Sequence, residues 1–432
     1  MTARFLSADG LLLGESSGPR LLAGMRARRL AVLYLSLIVA GLSLFADTLN
    51  NIAGVLILTA ALLFGFPRAG RSSLAAVIVV TGVAFNTMPY LGLYYVGYDV
   101  QTAWFALFLA VSLILVTYAE PGRPASTMPG HWVADLPLVA IYLVAGLLLW
   151  STDGLRQIAF YAGWAMALLH LERLHAGSRS LVLRGSGLSA FLFVIGYFVV
   201  VLWEGGGRIV QLSFALGPVL LTVHYRTFRL NGWVLAALIV VLSFVGRVFR
   251  FGWGDGLAGL AEDSGAAPIT LTSYLWTTKD VVRVADTIFD QWTLFFLNWV
   301  PRDLWPTKPL GIGSTFVDMV LGREGVGAEH NVAIGFFGEH LFYLPYAWPV
   351  SAALLVLAVI ATRRGLWSLC APYYSALIAF DVWLMTLFWG GMAAFAARAW
   401  FTLLPLISYI LFIKWLDRKR GVKLGVGTRD SN

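Results

Sequence analysis

The stretch that decides the fold is residues 73–95, SLAAVIVVTGVAFNTMPYLGLYY, which carries no charged side chain from end to end. A helix crosses a hydrocarbon core about 30 Å thick with roughly 20 mostly apolar residues, at about 1.5 Å of rise each, and this stretch is long enough to do so. Outward from it the same signal recurs. Further spans are predicted near 30–46, 51–66, 102–119, 135–150, 155–172, 187–203, 208–225, 231–247, 347–362, 367–388 and 397–416. The composition agrees: 59% of the residues are hydrophobic, 12% are charged and the mean hydropathy is +0.77, so lipid is the main solvent. The chain of 432 residues therefore reads as an all-α integral membrane protein of about twelve spans. Three regions follow. Residues 1–247 hold spans one to nine behind a cytoplasmic N-terminus, 248–346 form one long periplasmic loop, and 347–432 hold spans ten to twelve and a cytoplasmic tail.

The net charge of +8 does not make this a nucleic-acid-binding protein, because the cations lie in short runs between apolar stretches and not on one soluble face. The single cysteine, Cys370, excludes an intrachain disulfide. No small-residue cleavage site follows the first apolar run, so that span is expected to be retained.

Orientation follows from the rule that Lys and Arg flanking spans stay on the cytoplasmic side. With the N-terminus inside, the inner segments hold Arg4, Arg20, Arg26, Arg28 and Arg29, then Arg68 and Arg71, Arg123, Arg173 with Arg179 and Arg184, Arg226 and Arg229, and Arg363 and Arg364. The tail adds six more. Arg156, Arg208 and Arg398 break the rule, since they fall at short outer turns. Arginine binds phosphate bidentately and keeps its charge, so three of them at the outer leaflet suit a pyrophosphate head group; snorkelling to lipid phosphate accounts for any one alone.

The loop 248–346 is too polar to span and too aromatic for a disordered linker. Within it Asp280–Asn298 has the pattern of an amphipathic helix, with Val281, Val284, Ala285, Ile288, Trp292 and Phe295 at helical spacing, suited to the headgroup level. Gly256–Pro268, acidic and rich in small residues, is the expected lid segment. The string Val300-Pro301-Arg302-Asp303-Leu304-Trp305-Pro306-Thr307-Lys308-Pro309 is a stiff non-helical arm, because its prolines fix φ and hold each preceding residue extended. It presents Arg302 and Lys308 either to an anion or simply to solvent. Farther on, Gly325-Val326-Gly327-Ala328-Glu329-His330-Asn331 and Gly335-Phe336-Phe337-Gly338-Glu339-His340 supply two groups able to take a proton from a hydroxyl, His330 and Glu339. One unbroken helix would set these two on opposite faces, so they converge only if the chain bends, as at Gly335. Asp381, the clearest intramembrane acid, is expected in a structural ion pair with an arginine such as Arg398 or Arg247. No histidine or carboxylate spacing fits a metal, so none is expected.

Pro301-Arg302, Trp305-Pro306 and Lys308-Pro309 together resemble the motif of bacterial oligosaccharide repeat-unit polymerases, the Wzy-type O-antigen and exopolysaccharide polymerases. The layout is similar too, with one long outer loop before the last few spans and Gly338-Glu339 at its far end. Glu329-His330-Asn331 also looks like an element of the related O-antigen ligases. The motif match covers Val300 to Glu339.

The resemblance implies a GT-C-like glycosyltransferase of the bacterial inner membrane, working at the periplasmic face on undecaprenyl-pyrophosphate-linked oligosaccharides as both donor and acceptor. It requires no cofactor and has membrane lipids and a chain-length regulator as further partners. Arg302, Lys308, Arg208, Arg156 and Arg398, with Trp305, would hold the lipid-linked pyrophosphate, and His330 or Glu339 would be the base. Two alternatives remain open: a ligase passing finished glycan to lipid A core, and a flippase for lipid-linked oligosaccharide. A flippase is the poorer fit, since transporters usually show two related halves and here the polar weight lies in one loop.

Overall fold

The computed structural model describes residues 18–46, 51–66, 72–97, 101–119, 135–148, 153–177, 208–225, 231–251, 267–278, 287–320 and 332–419. Among them the only regular structure is helix, and the protein is an all-α membrane protein. In chain order the helices are α1 (Gly18–Gly41, continued by a π-helical turn, Leu42–Ala46), α2 (Asn51–Gly65), α3 (Ser73–Tyr95), α4 (Ala103–Ala119), α5 (Asp135–Leu148), α6 (Asp153–Gly177), α7 (Arg208–Tyr225) and α8 (Gly232–Phe251). There follow α9 (Ala267–Thr277), α10 (Ile288–Leu297), α11 (Ile312–Val320), α12 (Gly335–Tyr343), α13 (Trp348–Cys370) and α14 (Ser375–Lys419). Four are long and apolar enough to cross a membrane, at Ala27–Leu44, Ser73–Tyr95, Trp348–Cys370 and Ser375–Lys419, and five shorter apolar helices accompany them. The predicted span 187–203, Cys-free loop segments 252–266 and 321–331, and the tail beyond Lys419 lie outside the described residues.

α14 is the axis of the fold. Every residue from Ser375 to Leu387 is buried, the signature of a helix apolar around its whole circumference. It packs against α3, α6, α7, α10, α12 and α13. Both of its ends inside the protein are satisfied by glutamates from other helices. Glu172 of α6 accepts hydrogen bonds from the backbone N–H of Tyr374 (2.5 Å) and Ser375 (2.8 Å) and from the Tyr225 hydroxyl (2.6 Å), filling the orphan donors of the first turn. The helix then breaks at Gly391 (φ 85°, ψ −171°) and starts again at Met392.

One boundary differs from the sequence expectation. The predicted spans 347–362 and 367–388 are separated by the turn at 371–374 and not by Arg363 and Arg364, so α13 runs through both arginines to Cys370. The reason is charge pairing. Arg363 is fully buried, its Nε 2.7 Å from Asp381 Oδ1 and its Nη2 3.0 Å from Oδ2, and Nη1 donates to the Ala119 carbonyl. Ser73 Oγ donates to the same carboxylate at 2.5 Å. The expected structural ion pair of Asp381 is present, and its partner is Arg363, in place of Arg398 or Arg247. Of the helix predicted over Asp280–Asn298, residues 280–286 lie outside the described residues; a helix runs Ile288–Leu297, its N-terminus set by Thr287, whose N–H donates to Asp290 Oδ2 (2.6 Å).

Candidate functional site

Glu339 enters the core on α12, a helix whose first residue, Gly335, has φ 79°. The bend sits where the sequence expected one. A Cβ at Gly335 would lie 2.9 Å from Pro268 Cβ and 3.3 Å from the Phe388 carbonyl oxygen, so only glycine lets α12 fit between α9 and α14. One turn later Glu339 is completely buried and meets the break in α14. Met392 N–H donates to its Oε2 at 2.8 Å. A Cβ at Gly391 would stand 2.6 Å from that same oxygen, so Gly391 is required both for its positive φ and for the approach of the carboxyl. Oε1 has no hydrogen-bond partner among the described residues.

Burial pushes the Glu339 carboxyl up to about 8, against the opposing pull of the Met392 N–H. A carboxyl in that range exchanges protons near neutral pH, which a general base or acid needs. The next residue, His340, points away from the break. Its Nδ1 lies 2.9 Å from Ser351 Oγ, its ring meets Phe336 edge to face, and burial pulls it down to about 3, so it is a neutral packing group.

The proline arm reaches the same break from the other side. Phe295 of α10 is fully buried and stacks on Phe395 (centroids 5.3 Å apart), and Trp400 Nε1 donates to the Phe295 carbonyl at 2.6 Å. Asn298, at the root of the arm, donates through Nδ2 to the Ala393 carbonyl at 2.9 Å. Glu339 and the arm are thus bonded to consecutive residues of α14, Met392 and Ala393. The arm is closed by its own cations: Arg302 Nη1 and Nη2 donate to the carbonyls of Lys308 (2.7 Å) and Pro309 (3.1 Å), and Lys308 Nζ donates to Asn298 (2.6 Å) and Val300 (2.9 Å). Partial burial, then the neighbouring Arg302 charge, lower the Lys308 pKa. Each cation has spare donors, since a guanidinium has five N–H groups and an ammonium three. Trp305 is half-buried, its backbone N–H donating to Pro301.

The remaining predicted residues divide. Arg398 stands in the restarted segment of α14, donates through Nη1 to the Ala394 carbonyl (2.7 Å) and bonds the Tyr161 hydroxyl on α6. Arg156 is buried on that same α6, about one and a half turns before Tyr161. Arg208 is the first residue of α7, which packs against both α6 and α14. His330, with Glu329 and Asn331, lies outside the described residues. Among the described residues no group of three or more His, Cys, Asp or Glu is gathered as for a metal ion.

At the start of α12, one turn before Glu339, is a cavity of about 40 Å³. Its walls come from α3, α4, α9, α12 and the stretch of α14 just before the break, and include Asn86, Trp104 and Trp389. Among the described residues that line it none is charged. Gly335 lines it and Glu339 is one turn farther along α12, so the two lie about 6 Å apart along the helix. Asn86 sits in the π-helical turn Val83–Thr87 of α3, a type of distortion often found at functional sites.

Reading by sequence did not find the break, the cavity or the pairing of Arg363 with Asp381. The signals existed: Gly390-Gly391 interrupts an apolar run, and Asn86 is a polar residue in the middle of a span. Comparison with protein-family models, with curated proteins and with solved structures finds no match for this chain.

Proposed function

We propose that the protein is a membrane glycosyltransferase that joins undecaprenyl-pyrophosphate-linked oligosaccharide repeat units at the periplasmic face, with about twelve spans, both termini in the cytoplasm and no metal. The observation that carries the reading is the convergence of Glu339 and the proline arm on Met392 and Ala393. The reaction needs a base for an acceptor hydroxyl and cations for a leaving pyrophosphate, and these are the two kinds of group brought together there. The hydroxyl oxygen attacks the anomeric carbon of the donor, the bond from that carbon to pyrophosphate breaks, and the hydroxyl proton passes to Glu339 Oε1, the oxygen that Met392 leaves open. Arg302 and Lys308 meet the departing phosphate charge with their spare donors. Arg398, with Arg156 on the adjoining helix, extends the positive field behind the break. Phe289 (76% exposed) and Leu304 (78%) hold apolar surface outward beside the arm, as a lipid-facing edge would.

The test is reconstitution in nanodiscs with lipid-linked repeat units. The expected result is a ladder of longer glycans that disappears in Arg302→Ala. Movement of lipid-linked sugar across the bilayer with no new glycosidic bond would replace this reading with the flippase.

A further inference from the structure

The cavity at the start of α12 is too small for a sugar ring, and Thr81, Asn86 and Thr272 give it hydroxyl and amide groups. A water-sized group needs about 10–15 Å³ on this measure, so about 40 Å³ takes about three such groups, room for the methyl, carbon and oxygen of an acetamido group with its nitrogen at the open side. Its polar groups divide by role. Thr81 Oγ1 donates to the Val77 carbonyl (2.7 Å) and Thr272 Oγ1 to the Pro268 carbonyl (2.5 Å), so both hydroxyl protons are committed and these oxygens can only accept. The Asn86 amide can donate. The rest of the lining is mainly aromatic, with Trp104 and Phe337 centroids 5.9 Å apart on one wall.

From this complementarity we infer that the cavity is a subsite for the acetamido group of a 2-acetamido sugar: the acetyl methyl against the aromatic wall, the carbonyl accepting from Asn86 and the N–H donating to a threonine oxygen. A lone prenyl segment would leave the Asn86 amide against hydrocarbon without a partner, an arrangement that costs free energy. The inference rests on the transferase reading only in taking sugars as the ligands.

The experiment is saturation-transfer NMR on the full chain in nanodiscs of zwitterionic lipid, with methyl 2-acetamido-2-deoxy-glucopyranoside and methyl glucopyranoside as probes. Transfer is expected to be strongest at the acetyl methyl, weak for the glucoside, and lost in both Asn86→Leu and the nearly isosteric Asn86→Asp. No transfer to either probe overturns the subsite and leaves a hydrated void. Transfer to farnesyl phosphate methyl groups that is lost in Asn86→Leu overturns it in favour of a lipid-chain seat. A failure of the transferase reading would abolish the glycan ladder and leave the acetyl signal. A failure of the subsite would leave the ladder, with no preference between acetamido and hydroxyl acceptors.

Discussion

Two buried glutamates serve the same helix. Glu172 takes three donors at the start of α14, and its oxygens are filled. Glu339 takes one donor where α14 restarts, and its Oε1 has no partner among the described residues. The first is a completed cap; the second has an oxygen to spare there, and this difference supports the proposed role of Glu339 in proton transfer. Only the ionised carboxyl acts as a base, so with a pKa near 8 the turnover rate should climb as pH rises through about 8 and level off above it. A rate that is flat between pH 6 and 9 would remove Glu339 from the role. Stability should move the opposite way. A carboxyl whose folded pKa is raised contributes stability that is fully present below its ordinary 4.5 and is lost as pH rises through about 8. Glu339→Gln should therefore flatten the decline of the unfolding temperature between pH 4.5 and about 8. Glu339 was marked out in the sequence as a candidate by Gly338-Glu339 at the end of the loop. Its partner was not, because a backbone N–H freed by a helix break leaves no mark on side-chain chemistry.

At the scale of elements, the break in α14 is held by geometry. Gly391→Ala would place an L-residue at φ 85°, costing about 1–3 kcal/mol, and drive a methyl toward Glu339 Oε2. Both the melting temperature and the activity should fall, and a variant unchanged in both would show that the break does not hold the carboxyl. The other hinge of the core is the pair between α13 and α14. Asp381→Asn leaves Arg363 buried without its counter-charge and should destabilise by about 3–5 kcal/mol, seen as loss of folded protein in detergent melts. The double variant Arg363→Met with Asp381→Leu should recover much of that loss. The pair also explains why the span boundary was misplaced. Hydropathy treats Arg363 and Arg364 alike, yet Arg364 is exposed and bonds the Tyr118 carbonyl while Arg363 is neutralised in the core. What periodicity carries is the existence of a helix; which charges are paired inside it depends on helices far apart in sequence. The arm was read correctly as non-helical because proline acts locally, whereas the carbonyls that occupy Arg302 and Lys308 became visible only with the turn closed.

On the scale of the whole molecule, the apolar runs identified an all-α membrane protein, and four helices have the length and composition to cross. The topology proposed around them is open to labelling. Leu310→Cys, in the arm region, should react with impermeant thiol reagents only from outside, and Arg418→Cys, near the end of α14, only from inside. The native Cys370 is buried and should stay silent. Labelling of Leu310→Cys from the inner face would invert the arrangement. Activity should persist in EDTA, since the charge of the leaving group is met by guanidinium and ammonium groups; loss restored by Mg²⁺ would contradict that.

The most direct test of the account is Glu339→Gln, measured for both stability and single-turnover glycosyl transfer on the same preparation. Glutamine keeps an acceptor for the Met392 N–H but cannot take a proton. The account predicts a melting temperature at neutral pH no lower than that of the parent and transfer reduced by about 10²-fold or more. Transfer at the parental rate would contradict it, and so would a loss of transfer matched by loss of the fold, which would make Glu339 a cap and nothing further.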